Sequence, residues 1–357
     1  MIETRLEKLR QAMPADTDAV LLCSGPNRFY FTGMHSSAGT LLVTREQAYF
    51  LIDFRYIELA RRTVKSAEVL LQEKLGEQLA ELVRRHRMGK IAVETSYMTV
   101  GERTKTAGWL PGVEISEDPE VDAAILRLRS IKDQGELEAI RGAQKITDAA
   151  FSYILGVIRP GMTEKQVALE LEYKMKELGA DGLAFDTIAV SGANSSLPHG
   201  VPGDKPIEKG DFLTMDFGAR YMGYCSDMTR TVAVGYATDE MQKVYQTVLD
   251  AQLAAIERAK AGADCFDVDA AARDLINGAG YTGCFGHGTG HSLGLEIHED
   301  PRFSPGCHEI CRPGLVMTVE PGIYLEGKFG CRIEDMVFID ENGTINLTNS
   351  TKELSVL

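Results

Sequence analysis

Four carboxylates sit inside runs that only a β-sheet accommodates: Asp216 in LTMDFGA, Asp227 in YCSDMTR, Glu320 in TVEPGIY and Glu334 in CRIEDM. Their spacing groups them in twos. Asp216 and Asp227 flank a stretch punctuated by Gly218 and Gly223. A hairpin centred between Tyr221 and Met222 sets them directly opposite, with Cβ atoms roughly 4.5–5.5 Å apart. Glu320 and Glu334 are symmetric about Gly327, as a hairpin with a short Gly-containing loop requires. A single acid in a strand is usually exposed or salt-bridged. Two pairs are a different problem, because an unpaired carboxylate in apolar surroundings costs several kcal/mol and like charges in contact cost more. Arg230 and Arg332 stand beside these pairs, but two guanidinium groups cannot neutralise four carboxylates. Two divalent cations balance all four charges.

A dinuclear centre of that kind takes oxygen-rich ligands, often with one imidazole. Imidazoles cluster in GHGTGHSLGLEIHED, where His287, His291 and His298 are interleaved with glycines that permit close backbone approach. A lone histidine is more often structural, whereas three in one short segment favour function. A competing metal reading, zinc on Cys307, His308 and Cys311, lacks the second Cys or His pair of a zinc finger.

The 357 residues are enough for two domains. The first 120 or so alternate short apolar runs (AVLLCS, GTLLVT, AYFLID, KIAVET) with helical patterns, an α/β signature. Near Ala123 a long 3.6-period pattern begins and runs to Arg159-Pro160-Gly161. The boundary is placed there, giving domains 1–130 and 131–357. Thr163 with Gln166 has capping-box spacing, and Thr238 caps a later long helix. Residues 131–357 thus run through one plan twice, two helices followed by carboxylate-bearing strands.

A net charge of −14 argues against nucleic acid and anionic membranes as partners. No run of about 18 apolar residues is present to span a bilayer, and the amphipathic N-terminal segment lacks a signal-peptide core. Seven cysteines without a CxxC pair suit free thiols in a reducing compartment, so a cytoplasmic location is expected.

With the five ligand candidates in this order, the sequence resembles the M24 metallopeptidases of the pita-bread fold, in their aminopeptidase P and prolidase branch. The likeness rests on LPHG at His199, MDFGA, SDMTRT, HSLGLEIHE, TVEPGIY and RIEDM, with NRFYFTG and LIDFRYIELA resembling the family's creatinase-type N-terminal domain. It implies an α/β (α+β) chain: a creatinase-like α/β domain followed by a catalytic domain whose curved, mainly antiparallel sheet is covered by helices. It also implies two divalent ions, manganese first, with cobalt, iron or zinc compatible. Asp216 would bind one ion, His291 and Glu320 the other, and Asp227 and Glu334 both. Hydrolysis by a metal-held water follows, with Glu320 moving the proton, His199 and His298 steadying the carbonyl and oxyanion, and His287 lining the pocket. Arg332, two residues before Glu334, and Thr229, two after Asp227, are the candidate supports of the bridging carboxylates.

By the same likeness the substrates are peptides cut at Xaa-Pro bonds, as dipeptides or at the N-terminus of longer chains. Phe185 supplies part of an apolar wall for the proline ring, and Arg302 a contact for the carboxylate of a short substrate. A homodimer is implied, with the GMHSSAG loop and its His35 reaching the partner's site. Alternatives are an M24 aminopeptidase without proline preference, a metal-free creatinase-like hydrolase and a non-catalytic binding protein. The complete ligand set weighs against the last two.

Overall fold

The computed structural model describes residues 2–357; Met1, the start of the N-terminal helical segment, lies outside them. Two compact units emerge, Met1–Arg129 and Ser130–Leu357.

The first unit runs α1 (Ile2–Ala12), β1 (Ala19–Leu22), α2 (Gly25–Thr32), β2 (Thr40–Thr44), β3 (Ala48–Ile52), α3 (Ile57–Thr63), β4 (Glu68–Leu71), α4 (Leu75–His86), β5 (Lys90–Val93), α5 (Val100–Trp109), β6 (Glu114–Ser116) and α6 (Glu120–Ser130). One sheet has the order β4-β3-β2-β1-β5-β6. Its centre is antiparallel and both flanks are parallel. Strands β1, β2 and β3 are buried along their whole length, which is why they read as continuous apolar runs rather than alternating ones. The short or part-exposed outer strands β4 and β6 gave no such signal.

The second unit comprises α7 (Gln134–Leu155), α8 (Glu164–Glu177), β7 (Gly182–Leu183), β8 (Ile188–Ser191), β9 (Phe212–Phe217), β10 (Ala219–Tyr221), β11 (Tyr224–Cys225), β12 (Met228–Ala233), α9 (Asp239–Arg258), α10 (Cys265–Ile276), β13 (Gly290–Ser292), β14 (Glu299–Phe303), β15 (Val316–Val319), β16 (Gly322–Leu325), β17 (Phe329–Arg332), β18 (Asp335–Ile339) and β19 (Thr344–Asn346). Its ladders are antiparallel. The plan is carried out twice. Helices α7 and α8 pack on β8, β9 and β12 around Phe151, Leu171, Met215 and Val232. Helices α9 and α10 pack on β15 and β18 around Val248, Ala272, Met317 and Val337. Each helix pair covers one face of its strands, and the other face is free to carry polar groups.

The long helical pattern from Ala123 is two helices, not one. Asp133 caps α7 in a full capping box with Glu136, and the residue before it, Lys132, turns inward to a buried partner, so the chain breaks between α6 and α7. The capping box of Thr163 and Gln166 and the Thr238 cap are both present.

The first carboxylate hairpin differs from the sequence expectation. Met222 and Gly223, at φ 49° and 82°, form the two-residue turn, which centres the hairpin one residue later than the Tyr221–Met222 step. Asp216 therefore faces Thr229 and Phe217 faces Met228, leaving Asp227 diagonal to Asp216 rather than opposite it. The second hairpin keeps the expected symmetry. Val319 pairs with Asp335, and Gly322 with Arg332, both about Gly327. Glu320 and Glu334 lie in the break between these two ladders, where the backbone twists from one sheet into the next.

Candidate metal centre

The strands bring oxygen and nitrogen donors from both halves of the second unit to one point. Donor atoms of Asp227, His291 and Glu334, all buried, lie within 4.8 Å of one another. His291 Nε2 is 3.5 Å from Asp227 Oδ2 and 3.4 Å from Glu320 Oε1. His291 Nδ1 lies 3.0 Å from the Ser292 carbonyl, which can only accept, so the proton sits on Nδ1 and the Nε2 lone pair faces the two carboxylates. That array is acceptors meeting acceptors, which a cation resolves. Two oxygens state the same need: Asp216 Oδ1 and Glu334 Oε1 are buried without a hydrogen-bond partner, at a cost of about 1–3 kcal/mol or more each for charged groups. A donor set of four carboxylates and one neutral imidazole fits divalent ions of the oxygen-preferring kind.

One guanidinium organises the rest. Arg332, 3% exposed, donates from Nη2 to Asp216 Oδ2 at 2.6 Å, from Nε to Thr229 Oγ1 at 3.0 Å and from Nη1 to Tyr324 Oη at 2.8 Å. Thr229 passes its own proton to Glu334 Oε2 at 2.7 Å. The expected support of Glu334 by Arg332 is thus indirect: the arginine binds Asp216 and reaches Glu334 through the threonine hydroxyl. Tyr324 donates in turn to His287 Nε2, 2.8 Å away, because His287 Nδ1 is committed to the Gly288 carbonyl. Arg230 serves a separate purpose, pairing with Asp335 at 2.7 Å.

Thr318 and Tyr324 were not singled out from the sequence. The Thr318 hydroxyl accepts from the His291 backbone N–H at 3.0 Å and donates to Glu320 Oε1 at 3.3 Å. Both residues stand an even number of positions from Glu320, so the same two-residue alternation that pointed to Thr229 and Arg332 marks them. Close approach is enforced by glycine: a Cβ on Gly290, beside His291, would stand 1.9 Å from the Thr318 carbonyl oxygen.

Burial and mutual repulsion show in the protonation equilibria. Burial, with Glu334, Asp216 and Glu320 adding charge, holds the Asp227 carboxyl well above its usual range. Glu334 rises likewise through burial and the charges of Glu320 and Asp216. Burial pushes Glu320 up to about 7 against the pull of Arg332. Burial also drives His291 down to about 3 and His287 down to about 4, keeping both imidazoles neutral.

The donors floor a cavity of about 550 Å³. His199 and His298 are exposed on its wall, His298 packing edge-on to His291 with ring centroids 4.6 Å apart. His287, half-buried, lines it as expected, as does half-buried Phe185. Arg302 lines it too, directly across the β13–β14 ladder from His291, with an exposed contact to Asp300 at 3.5 Å. His35 belongs to the first unit, where it is exposed and stacked on Phe29. The alternative zinc trio does not assemble: His308 stacks on Phe266, while buried Cys311 contacts Cys265 at 3.9 Å.

Buried acids and one neutral imidazole, opening on a cavity of about 550 Å³, form a donor set of the kind that metal-dependent hydrolases use. The chain belongs to the family M24 metallopeptidases, whose model matches residues 138–341, and residues 5–131 match the creatinase/prolidase N-terminal domain. It is 42% identical to the peptidase YqhT of Bacillus subtilis (strain 168) over 99% of this chain and all of that one. Among solved structures, a Xaa-Pro dipeptidase from Bacillus anthracis superposes with a TM-score of 0.96 at 38% identity, covering 100% of both chains. An X-Pro aminopeptidase from Thermotoga maritima MSB8 gives 0.91 at 37% identity, over 96% of this chain and 98% of that one. The protein is therefore a peptidase with a creatinase-like domain ahead of a pita-bread domain, as the sequence motifs implied.

Proposed function

We propose that this chain hydrolyses Xaa-Pro peptide bonds in dipeptides or at the N-terminus of short peptides, with residues 131–357 as its catalytic domain. The observation that carries the reading is the convergence of Asp216, Asp227, His291, Glu320 and Glu334, two of them with orphaned buried oxygens, in a chain that matches X-Pro peptidase structures end to end. Those five side chains would hold two divalent ions, manganese, cobalt and iron suiting the oxygen-rich set and zinc being compatible. Such ions supply Lewis acidity, acidifying water and polarising a carbonyl.

The chain's own groups do the remainder. Glu320, its carboxylate steadied by the Thr318 hydroxyl, takes the proton of the attacking water and delivers it to the departing proline nitrogen. Protonation there is obligatory, because an amide nitrogen departs as the neutral amine and not as its anion. His199 and His298 on the wall donate to the oxygen of the scissile carbonyl as charge develops. The Gly288 carbonyl keeps His287 in a single tautomer with Tyr324 donating to its Nε2, and Phe185 offers the proline ring an apolar surface. Arg302 receives the carboxylate of a short substrate, so Arg302→Ala is expected to impair dipeptides more than tripeptides; equal losses remove that role. The protein acts in a reducing cytoplasm, consistent with seven free thiols, and as a homodimer in which the His35 loop completes the partner's site. His35→Ala within an intact dimer tests that loop, unchanged kcat and KM counting against it.

The deciding experiment is hydrolysis of Xaa-Pro dipeptides and Xaa-Pro-containing tripeptides beside matched peptides without proline. Chelation is expected to abolish cleavage, and added manganese or cobalt to restore it. Cleavage that survives thorough chelation, or that ignores proline, defeats the proposal.

A further inference from the structure

We propose that the buried Lys132–Glu299 ion pair is a positioning device that sets His298 over the site, an inference that rests on the peptidase reading above. Lys132 Nζ meets Glu299 Oε2 at 3.0 Å, the two side chains being only 1% and 3% exposed. The other carboxylate oxygen, Oε1, accepts the backbone N–H groups of Leu295 and Glu296 at 3.1 and 3.2 Å. Lys132 Nζ also stands 3.5 Å from Ser292 Oγ. One carboxylate therefore ties together the strand that carries His291 and the loop that carries His298.

The loop is shaped around that carboxylate. Its register jumps, Ser292 facing Glu299 while His291 faces Arg302. The shift leaves Asp300 and Pro301 as a bulge in β14, and residues 293–298 form the tight loop beyond the Ser292–Glu299 pair. Gly294 closes it by bonding to the Glu296 carbonyl at 3.0 Å, and a Cβ on Gly294 would meet Glu299 Oε2 at 2.9 Å. Backbone amides that leave a ladder need other acceptors, and here a charged oxygen supplies them. Ile297 and His298, the last residues of the loop, line the cavity.

A buried ion pair is weak support for stability, since apolar replacements of similar size are often neutral, whereas it is a well-suited register device. The location of Lys132 explains its burial: it occupies the break between α6 and α7, where a side chain leaving the helix can point inward.

The test is a double-mutant cycle on the metal-loaded full chain with its best peptide substrate, joined to crystal structures of the variants. Glu299→Gln is expected to lower kcat about 10–100-fold, with KM and metal content little changed, by analogy with other outer supports of a catalytic centre. Combined with His298→Ala, it should add no loss beyond that of His298→Ala alone. In the crystal, residues 294–298 should shift while the five carboxylate and imidazole donors stay. Should Glu299→Gln fail to fold because Lys132 is left without its countercharge, Lys132→Met with Glu299→Leu removes both charges and also deletes the acceptor. Losses that multiply in the cycle, loss of metal, or an unmoved loop would overturn the inference. A wild-type chain inert towards Xaa-Pro peptides is a separate failure of the substrate reading, and the loop displacement then decides the positioning role by itself.

Discussion

The two halves of the second unit offer the same two-helix, strand-borne-acid plan and treat their acids differently. In the first half, Asp216 has a permanent countercharge, the Arg332 guanidinium at 2.6 Å. Asp227 from that half, and Glu320 and Glu334 from the second, gather around a neutral His291 with no guanidinium paired to their carboxylates among the described residues, and all three carboxyls are held above their usual range. The contrast teaches that one fixed cation compensates one acid and orients the rest. The remaining charge is left for ions to meet. One hydroxyl of the first half, that of Thr229, relays between Arg332 and Glu334 of the second.

The largest effects should come from breaking the unshielded side of that contrast. Asp227→Asn and Glu334→Gln are each expected to empty the centre and lower kcat/KM by roughly 10³-fold or more, several kcal/mol of transition-state stabilisation. Metal analysis alongside kinetics checks it, and full metal content with full activity would show that these acids are not ligands. Glu320→Gln should cost about 10²–10⁴-fold in kcat, the range of general acid–base catalysis, with KM little changed.

Thr229→Val cuts the relay between Arg332 and Glu334 while leaving every carboxylate in place. A loss of about 10–100-fold in metal affinity or kcat is expected, read by metal titration and steady-state rates. No change would mean that Arg332 and Glu334 act independently.

The smallest effect is a stability profile of the metal-free chain. Glu320 is raised from 4.5 to about 7, so the folded state binds its proton more tightly than the unfolded chain does. The stability this confers is complete below about pH 4.5 and disappears as pH rises through about 7. Asp227 and Glu334 act with the same sign. Thermal melts of chelated protein should therefore fall in Tm between about pH 5 and pH 8, while the metal-loaded protein holds, since ions keep the carboxylates ionised at little cost. Parallel profiles for both forms would contradict the account.

Much of this was legible before folding was considered. The wholly buried strands of the first unit, the capping box of Thr163 and Gln166, and the symmetry of Glu320 and Glu334 about Gly327 each follow from a local rule. The first acid pair shows where such rules stop. The chain contains two glycines near that turn, and only the backbone shows Met222 accepting a positive φ beside Gly223, which moves the centre by one residue and gives Asp216 a threonine neighbour.

Residue chemistry and periodicity by themselves pointed to four acids and a histidine sharing a space that cations would balance, because that cost arises wherever such acids are buried. Tertiary structure decided who supports whom. That Arg332 holds Asp216, that Thr229 relays to Glu334, and that Lys132 meets Glu299 across 167 positions depend on strands meeting from distant parts of the chain. A local pattern carries no information about the angle at which they meet.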